Sequence, residues 1–308
     1  MSDTTRSTEY HKLKNRLFFI GLVLDCLLLL VFFFSGLSAL LKSFSFSFSD
    51  YKLIAYAIYT VIFCVGFYLI HFPLHMYSGF IWEHKFSLSN QSFGAWFKDD
   101  LKGALLSLFL ALILVEVIYM FLGRFPQTWW VAAGIFWLFF SFILAKVTPD
   151  VIVPLFYKYE DIDNSSLKER IFKLFKQCKV SLKNIYAIDL STKTKKANAF
   201  MCGLGKNRRV VLSDTLLKDF SEEEVEVVVA HELAHYKHKD IIKLLMANGV
   251  VIFIGFFLIH LYFRYAVDAY QLSGLDDIAF LPMVLLVFSL FGLVTTPILN
   301  SYSRAIER

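Results

Sequence analysis

Six long apolar runs dominate the chain and restrict it to folds that cross a lipid bilayer. A spanning helix needs about 20 mostly apolar residues, and its backbone polar groups must pair within the helix. Composition agrees, because 57% of the 308 residues are hydrophobic and 19% are charged, against about 45–50% and about 25% in soluble domains. The predicted spans are Leu17–Leu41, Leu53–His71 (open to extension as far as Trp82), Leu105–Leu122, Trp129–Ala145, Ile241–Phe263 and Ile278–Leu299.

One long polar segment between the fourth and fifth spans predicts an inserted α+β domain. Leu167, Ile171, Leu174 and Phe175 recur at helical spacing. The stretches "NIYAIDLS" and "RRVVLSDTLL" have the composition of strands, and "STKTKKANAFMCGLGKNR" between them is typical of a strand followed by a turn. Ser221 can then cap a further helix that starts with acidic residues. The predicted domains are residues 1–148, 149–240 and 241–308.

The distribution of basic residues predicts the orientation in the membrane. Short cytoplasmic loops carry an excess of Lys and Arg. Of the 31 Lys and Arg, only four lie in the loops opposite the inserted domain: Lys42, Lys52, Arg124 and Arg264. Both termini and the inserted domain are therefore predicted to be cytoplasmic. Because the basic residues follow this rule, the net charge of +5 does not indicate a nucleic-acid partner.

Two features of the apolar regions carry weaker signals. The stretch "SFSFSFSD", residues 43–50, alternates like a strand and is predicted to form an interfacial turn or a short strand. Asp25 and Glu116 lie within predicted spans, where charged side chains face a cavity or a partner. The sequence leaves both alternatives open for these two acids.

The stretch "VVVAHELAHYKHKDI", residues 227–241, contains the pattern His-Glu-x-x-His. Residues four apart lie on one face of a helix, so His231 and His235 can present both imidazoles to one ion. Zn²⁺ accepts neutral histidine nitrogen and, in catalytic sites, leaves one position for water. Glu232 is placed to act as general base toward that water. The motif predicts a zinc peptidase site with one Zn²⁺ per chain.

The third ligand is predicted to come from beyond the sixth span. Asp240 and Glu222–Glu224 are predicted to share the helix of His231, and they cannot easily fold back to the ion. Glu307, in "NSYSRAIER", follows the sixth span on the side of the membrane predicted for His231. Two antiparallel spans would bring these positions together.

These motifs, taken in order, resemble the type I CAAX prenyl proteases, which are integral-membrane gluzincins, and more distantly the bacterial HtpX-type proteases. The resemblance covers about residue 53 to the chain end. It rests on five segments: "FIWEHKFSLSNQSFGAWFKD", "VIVPLFYKYEDI", "KKANAFMCGLGKNRRVVLSDTLL", "HELAHYKHKD" and "SRAIER". The expected fold class is therefore mostly α, a polytopic helical membrane protein with six transmembrane helices and an inserted cytoplasmic α+β zinc-peptidase domain.

The resemblance also implies roles for particular residues. It implies His231, His235 and Glu307 as zinc ligands and Glu232 as the general base. The segment "ANAF" matches the part of the family that pairs with the substrate backbone as an added strand, a known recognition mode. Its residues are Ala197, Asn198, Ala199 and Phe200.

The resemblance implies a zinc metalloendopeptidase that cleaves prenylated or hydrophobic membrane-associated peptides at the cytoplasmic face. An HtpX-like quality-control protease is the alternative, and a transporter with an accidental motif or an inactive peptide-binding scaffold are more distant ones. The family pattern continues past Glu307 with Ala-Asp, His-Pro-Pro and a basic residue, whereas this sequence stops at Arg308. This sequence also has six predicted spans, whereas the eukaryotic members of the family have seven. We therefore expect a further C-terminal segment, in cis or as a separate chain, to support activity.

Overall fold

The computed structural model describes residues 3–203 and 208–307, with side chains from residue 8 onward, so Arg308 lies outside the described residues. In this part of the chain, six helices are long and apolar enough to cross a bilayer, as the sequence predicts. The second to sixth continue past their predicted ends. They span Thr8–Phe34, Lys52–Lys85, Phe93–Arg124, Trp129–Phe156, Asp240–Ala269 and Ile278–Ile306.

The first apolar run is divided into two helices, which corrects the predicted span Leu17–Leu41. Helix α1 (Asp3–Phe34) ends before Gly36, which adopts a left-handed conformation with φ of 80°, and α2 (Leu37–Phe48) follows. Glycine takes this conformation without the steric cost that a side chain would bring. A single residue therefore ends the first span and redirects the chain.

The serine-phenylalanine repeat forms the end of α2, so the predicted turn or strand is wrong. The hydroxyl of Ser45 donates to the Leu41 carbonyl oxygen at 2.8 Å, and that of Ser47 to the Phe44 carbonyl oxygen at 2.7 Å. The Phe44 and Phe48 rings, one helical turn apart, lie edge to face with centroids 5.0 Å apart. Serine hydroxyls that bond back to the helix make it compatible with an apolar setting.

The chain divides into two compact units, of which the first is called here the membrane unit: residues 1–82, 100–137 and 247–308. Trp129 is buried in its core, with its ring edge to face against Phe256 and Phe263. Gly134 admits Phe253, whose ring would lie 2.4 Å from an added Cβ atom. The further long helices that contribute to this unit are α3 (Lys52–His75), α5 (Phe93–Arg124), α6 (Trp129–Val147), α11 (Asp240–Ala269) and α12 (Leu281–Ile306).

Asp25 has a partner within the membrane unit. Its Oδ1 atom lies 2.8 Å from Nε2 of His71, on α3. The other ring nitrogen of His71, Nδ1, lies 2.9 Å from the Phe67 carbonyl oxygen, which can only accept a hydrogen bond. Asp25 is thus paired with His71, and because 44% of its side chain is exposed, this pairing does not exclude the lining of a chamber.

Ion pairs join the loop before α12 to helices α2 and α3 of the membrane unit. The Asp277 carboxylate is buried and accepts hydrogen bonds from the Lys42 ammonium at 2.7 Å and from the Ser273 hydroxyl at 2.7 Å. Burial acts to raise the pKa of Asp277, but these bonds outweigh it and hold the pKa below its ordinary value. Asp276, next to it, pairs with Lys52 at the start of α3.

The second unit, called here the sheet unit, consists of residues 83–99 and 138–246. Its described residues form four strands, β1 (Tyr159–Asp161), β2 (Asn184–Ile188), β3 (Ala199–Cys202) and β4 (Arg209–Ser213), in the spatial order β1-β2-β4-β3. The β2–β4 pair is parallel and the other two pairs are antiparallel. Its helices include α4 (Trp82–Lys85, joined to α3 by the π-helical turn Met76–Ile81), α7 (Val153–Phe156), α8 (Ser165–Gln177), α9 (Asp214–Asp219) and α10 (Glu222–His238).

Polar contacts fasten α8 to the start of α10. The Glu222 carboxylate accepts hydrogen bonds from Asn164 and Ser166, both at 2.8 Å, and these bonds lower its pKa. Arg170, one turn of α8 after Ser166, donates to Glu223 and Glu226 of α10. Of the predicted apolar face of α8, Leu167, Ile171 and Phe175 are buried and Leu174 is partly buried. They belong to the same apolar cluster as Val225 and Val229 of α10, so α10 is held on a packed base.

Candidate metal site and substrate edge

Helix α10 carries the His-Glu-x-x-His motif, and its own sequence defines where it begins. Ser221 and Glu224 form a reciprocal capping box in which each side chain pairs with the other residue's backbone N–H. Val225, Val229 and Leu233 are buried at helical spacing on one side of α10. The histidines therefore project from another side of a helix that packing holds in place.

His231 and His235 face each other at the end of this helix. Their Nε2 atoms lie 3.0 Å apart, and their ring centroids are 4.5 Å apart. Two nitrogens on a tetrahedral zinc, each at about 2.0–2.1 Å, would be separated by roughly 3.3 Å. The two imidazoles thus present their Nε2 atoms almost as a shared ion requires, and this donor pair fits Zn²⁺.

Asp240 supports His235 from behind. Its Oδ2 atom lies 3.0 Å from Nδ1 of His235, and its Oδ1 atom accepts a hydrogen bond from Lys243 at 2.7 Å. A carboxylate on Nδ1 keeps the proton there and leaves the lone pair of Nε2 for a metal, an arrangement that orients histidine ligands and raises their basicity. Asp240 is only 4% exposed, so water does not compete with His235 and Lys243 for its carboxylate.

The position of Asp240 shows that the predicted shared helix for Asp240 and His231 is wrong. Helix α10 ends at His238, Lys239 adopts a left-handed conformation with φ of 56°, and Asp240 opens α11. Asp240 is therefore not on the helix of His231, and the change of direction returns its carboxylate to His235. In the sequence, this contact is indicated only by the acidic residue five positions after the second histidine of the motif.

The other two residues of the predicted zinc site are placed as follows. Glu232 is partly exposed on α10, directly after His231. Glu307 is the C-terminal cap residue of α12, with its backbone N–H bonded to the Ser303 carbonyl oxygen at 3.1 Å. It belongs to the membrane unit, whereas the histidines belong to the sheet unit. Its role as third ligand stays a prediction.

The segment predicted to bind substrate lies at one edge of the sheet. Strand β3 pairs with β4 on one side, and no strand among the described residues pairs with its other side. Ala199 and Phe200 open β3, Ala197 and Asn198 precede it, and β3 packs beside α10. The open edge and the histidine-bearing helix are thus neighbours within one unit.

The register indicates which backbone groups point to the open side. The Asn198 carbonyl oxygen accepts from the Ser213 N–H at 2.9 Å, and Phe200 lies opposite Val211. Antiparallel neighbours alternate between hydrogen-bonded and non-bonded pairs. Asn198 and Phe200 therefore bond toward β4, whereas the N–H groups of Ala199 and Met201 are directed to the open edge, where an extended peptide can pair with them.

Cys202, at the end of β3, does not offer an alternative nucleophile. Burial raises the pKa of its thiol to about 11, so little thiolate is present near neutral pH. The thiolate is the reactive form of cysteine. The candidates for chemistry next to the open edge are accordingly the histidine pair and Glu232, the predicted zinc ligands and general base.

A bundle of membrane-spanning helices with an inserted sheet domain and this histidine helix defines an integral-membrane metallopeptidase. Comparison with known families identifies which one. "Peptidase family M48" matches residues 161–308, and "CAAX prenyl protease N-terminal, five membrane helices" matches residues 2–158. The chain belongs to the CAAX prenyl protease family of M48 metalloproteases, whose members use a metal ion, typically zinc. Residues 2–158 contain four helices of spanning length and the shorter apolar α2.

Individual relatives agree with this assignment. The "Uncharacterized metalloprotease YhfN" of Bacillus subtilis is 28% identical over 98% of this chain and 72% of its own length. The "Probable CAAX prenyl protease 1" of Schizosaccharomyces pombe is 33% identical over 60% of this chain and 39% of its own. The crystal structure of S. mikatae Ste24p shares the fold, with a TM-score of 0.81 at 21% identity, over 97% of this chain and 73% of that one.

The chain corresponds to only part of its eukaryotic relatives. It spans 39% of the fission yeast protein and 56% of the "CAAX prenyl protease 1 homolog" of Arabidopsis thaliana, which is 29% identical over 76% of this chain. The comparisons therefore define the family and the fold, while substrate and orientation are matters for proposal.

Proposed function

We propose that this protein is a zinc metalloendopeptidase that cleaves prenylated or hydrophobic membrane-associated peptides at the cytoplasmic face. The observation that carries the proposal is the histidine pair on α10, backed by Asp240 and adjacent to the open edge of β3. An extended peptide on that edge would run beside the histidine helix.

His231, His235 and Glu307 would hold the ion, and a bound Zn²⁺ supplies a Lewis acid that lowers the pKa of water and polarises a carbonyl. Glu232 then accepts a proton from the attacking water and passes it to the leaving amine, the role of a general acid–base residue. Asp240 keeps the His235 imidazole in the tautomer that a ligand needs. The open N–H groups of Ala199 and Met201 hold the substrate backbone extended.

The substrate class is tested with a prenylated CAAX peptide and its unprenylated twin, with metal content measured on the same preparation. We expect the prenylated peptide to be cleaved with the higher kcat/KM, because the prenyl group adds apolar surface that partitions into the membrane domain. Glu232→Gln controls for contaminating proteases. Equal cleavage of both peptides would contradict the prenyl preference and favour the quality-control alternative.

The orientation is tested by labelling single introduced cysteines in sealed cells with a membrane-impermeant maleimide. Lys195→Cys, on an exposed position of the sheet unit, should be protected, and Asp268→Cys, exposed near the end of α11, should be labelled. The parent protein, with its four cysteines, gives the background. Opposite labelling would place the catalytic domain outside the cell.

Strand addition at β3 is tested with Ala199→Pro. Proline removes the outward N–H, so we expect weaker cleavage with zinc content and thermal unfolding unchanged. A substrate N-methylated at alternate positions offers a matched test without altering the enzyme, and its effect should recur with a period of two residues. Kinetics that stay unchanged in both experiments would contradict backbone pairing at this edge.

A further inference from the structure

Glu116, the second acid predicted within a span, lines a cavity in the membrane unit. The cavity has a volume of about 460 Å³ and lies where the start of α3, the last turns of α5 and the loop before α12 meet. Glu116 precedes the end of α5 by eight residues, which places it about 12 Å along the helix from that end at 1.5 Å per residue. The polar residues of its lining are Lys52, Tyr56, Glu116, Tyr119 and Asp276.

Two polar groups of this cavity have no protein partner among the described residues. The Oε1 atom of Glu116 and the phenolic oxygen of Tyr119 are both inaccessible to solvent and make no hydrogen bond to the described part of the chain. Tyr119 as a whole is only 3% exposed. Buried polar groups without partners are rare because each costs roughly 1–3 kcal/mol, and more when charged. The pair indicates a ligand that brings its own hydrogen bonds.

The remaining polar groups of the cavity are already satisfied. Tyr56 donates its hydroxyl proton to the Asp276 carbonyl oxygen at 2.6 Å, and the Asp276 carboxylate pairs with Lys52. The one cation in the lining is thus neutralised, and the unpartnered carboxylate oxygen is that of Glu116. This balance disfavours an anionic ligand and favours a cationic one.

The shape and the aromatic lining define the ligand further. The Tyr56 and Tyr119 rings meet edge to face with centroids 5.4 Å apart, and aromatic faces attract ammonium groups. Leu53 and Met120, which line the cavity, are 68% and 58% exposed, and exposed apolar side chains on spanning helices are expected to face lipid. A ligand with an ammonium head and an aliphatic body would enter from the membrane.

We propose that this cavity binds a primary ammonium group carried on an aliphatic chain, with Glu116 as its counter-ion and Tyr119 as a further hydrogen-bond partner. The site is separate from the histidine helix, and its ligand requires no peptidase chemistry. Lipids with an amine headgroup and free alkylamines share this chemistry.

The test uses the full chain in phosphatidylcholine nanodiscs with n-hexylamine and n-hexanol, which match in chain length and differ in charge. We expect the amine to raise the thermal unfolding temperature more than the alcohol. In Glu116→Gln, the apparent amine affinity should fall about 10–100-fold, as expected for a lost charge-assisted hydrogen bond. Asp50→Asn, which removes an exposed carboxylate from the loop before α3, should keep the parent response.

A second arm identifies the source of the ammonium group. Nanodiscs that contain phosphatidylethanolamine should stabilise the parent protein over phosphatidylcholine alone, and Glu116→Gln should lose that difference if the headgroup is the ligand. Equal responses to amine and alcohol, or an amine response that survives in Glu116→Gln, would overturn the proposal. The proposal would also be overturned if Glu116→Gln were more stable than the parent protein by the same amount with and without amine, because Glu116 would then be a buried acid without a ligand.

Discussion

Glu232→Gln is expected to keep its zinc and to lose nearly all peptidase turnover. Glutamine has the size of glutamate but cannot accept the proton of the attacking water, and the ligands on α10 are untouched. General acid–base catalysis contributes about 10²–10⁴-fold, and we expect a loss in kcat of at least that order with little change in KM. Metal content by mass spectrometry and turnover on one prenylated peptide measure both halves of the prediction.

Two companion variants separate the role of Glu232 from general damage. Glu169→Gln makes the same chemical change at an exposed position of α8 and should behave like the parent protein. His231→Ala should lose metal and activity together, because one of two facing nitrogens is removed. Substantial turnover in Glu232→Gln would show that another group accepts the proton.

The parts of the structure that the sequence predicts best are those with long or redundant patterns. The six spans follow from runs of apolar residues that exceed the bilayer thickness, and α10 from a capping box followed by a buried face. The apolar residues Leu167, Ile171 and Phe175 predict the buried face of α8 in the same way. In each case several residues indicate the same element, so one ambiguous residue does not change the outcome.

The wrong or missing predictions concern elements that depend on a single residue or on local hydrogen bonds. Period-two alternation predicts a strand for residues 43–50, but serine hydroxyls bonded to α2 carbonyl oxygens make a helix possible. The edge strand β1 has three residues, two of them acidic and exposed, and carries no apolar pattern. The role of Asp240 depends on the left-handed conformation of Lys239, which residue type alone does not indicate.

Glu307→Gln is expected to weaken zinc binding by more than the 10–100-fold that loss of a supporting hydrogen bond costs, because it replaces an anionic ligand with a neutral amide. Turnover should fall with metal content and recover in part when zinc is added in excess, unlike that of Glu232→Gln. Glu160→Gln, an exposed acid on β1, serves as the control. If Glu307→Gln binds zinc as tightly as the parent protein, another acid must complete the site.

Asp240 is an alternative in the sheet unit, but it is already engaged by His235 and Lys243. It could bind the ion only by giving up those contacts. A change in the His235 imidazole resonance on adding zinc would reveal that exchange.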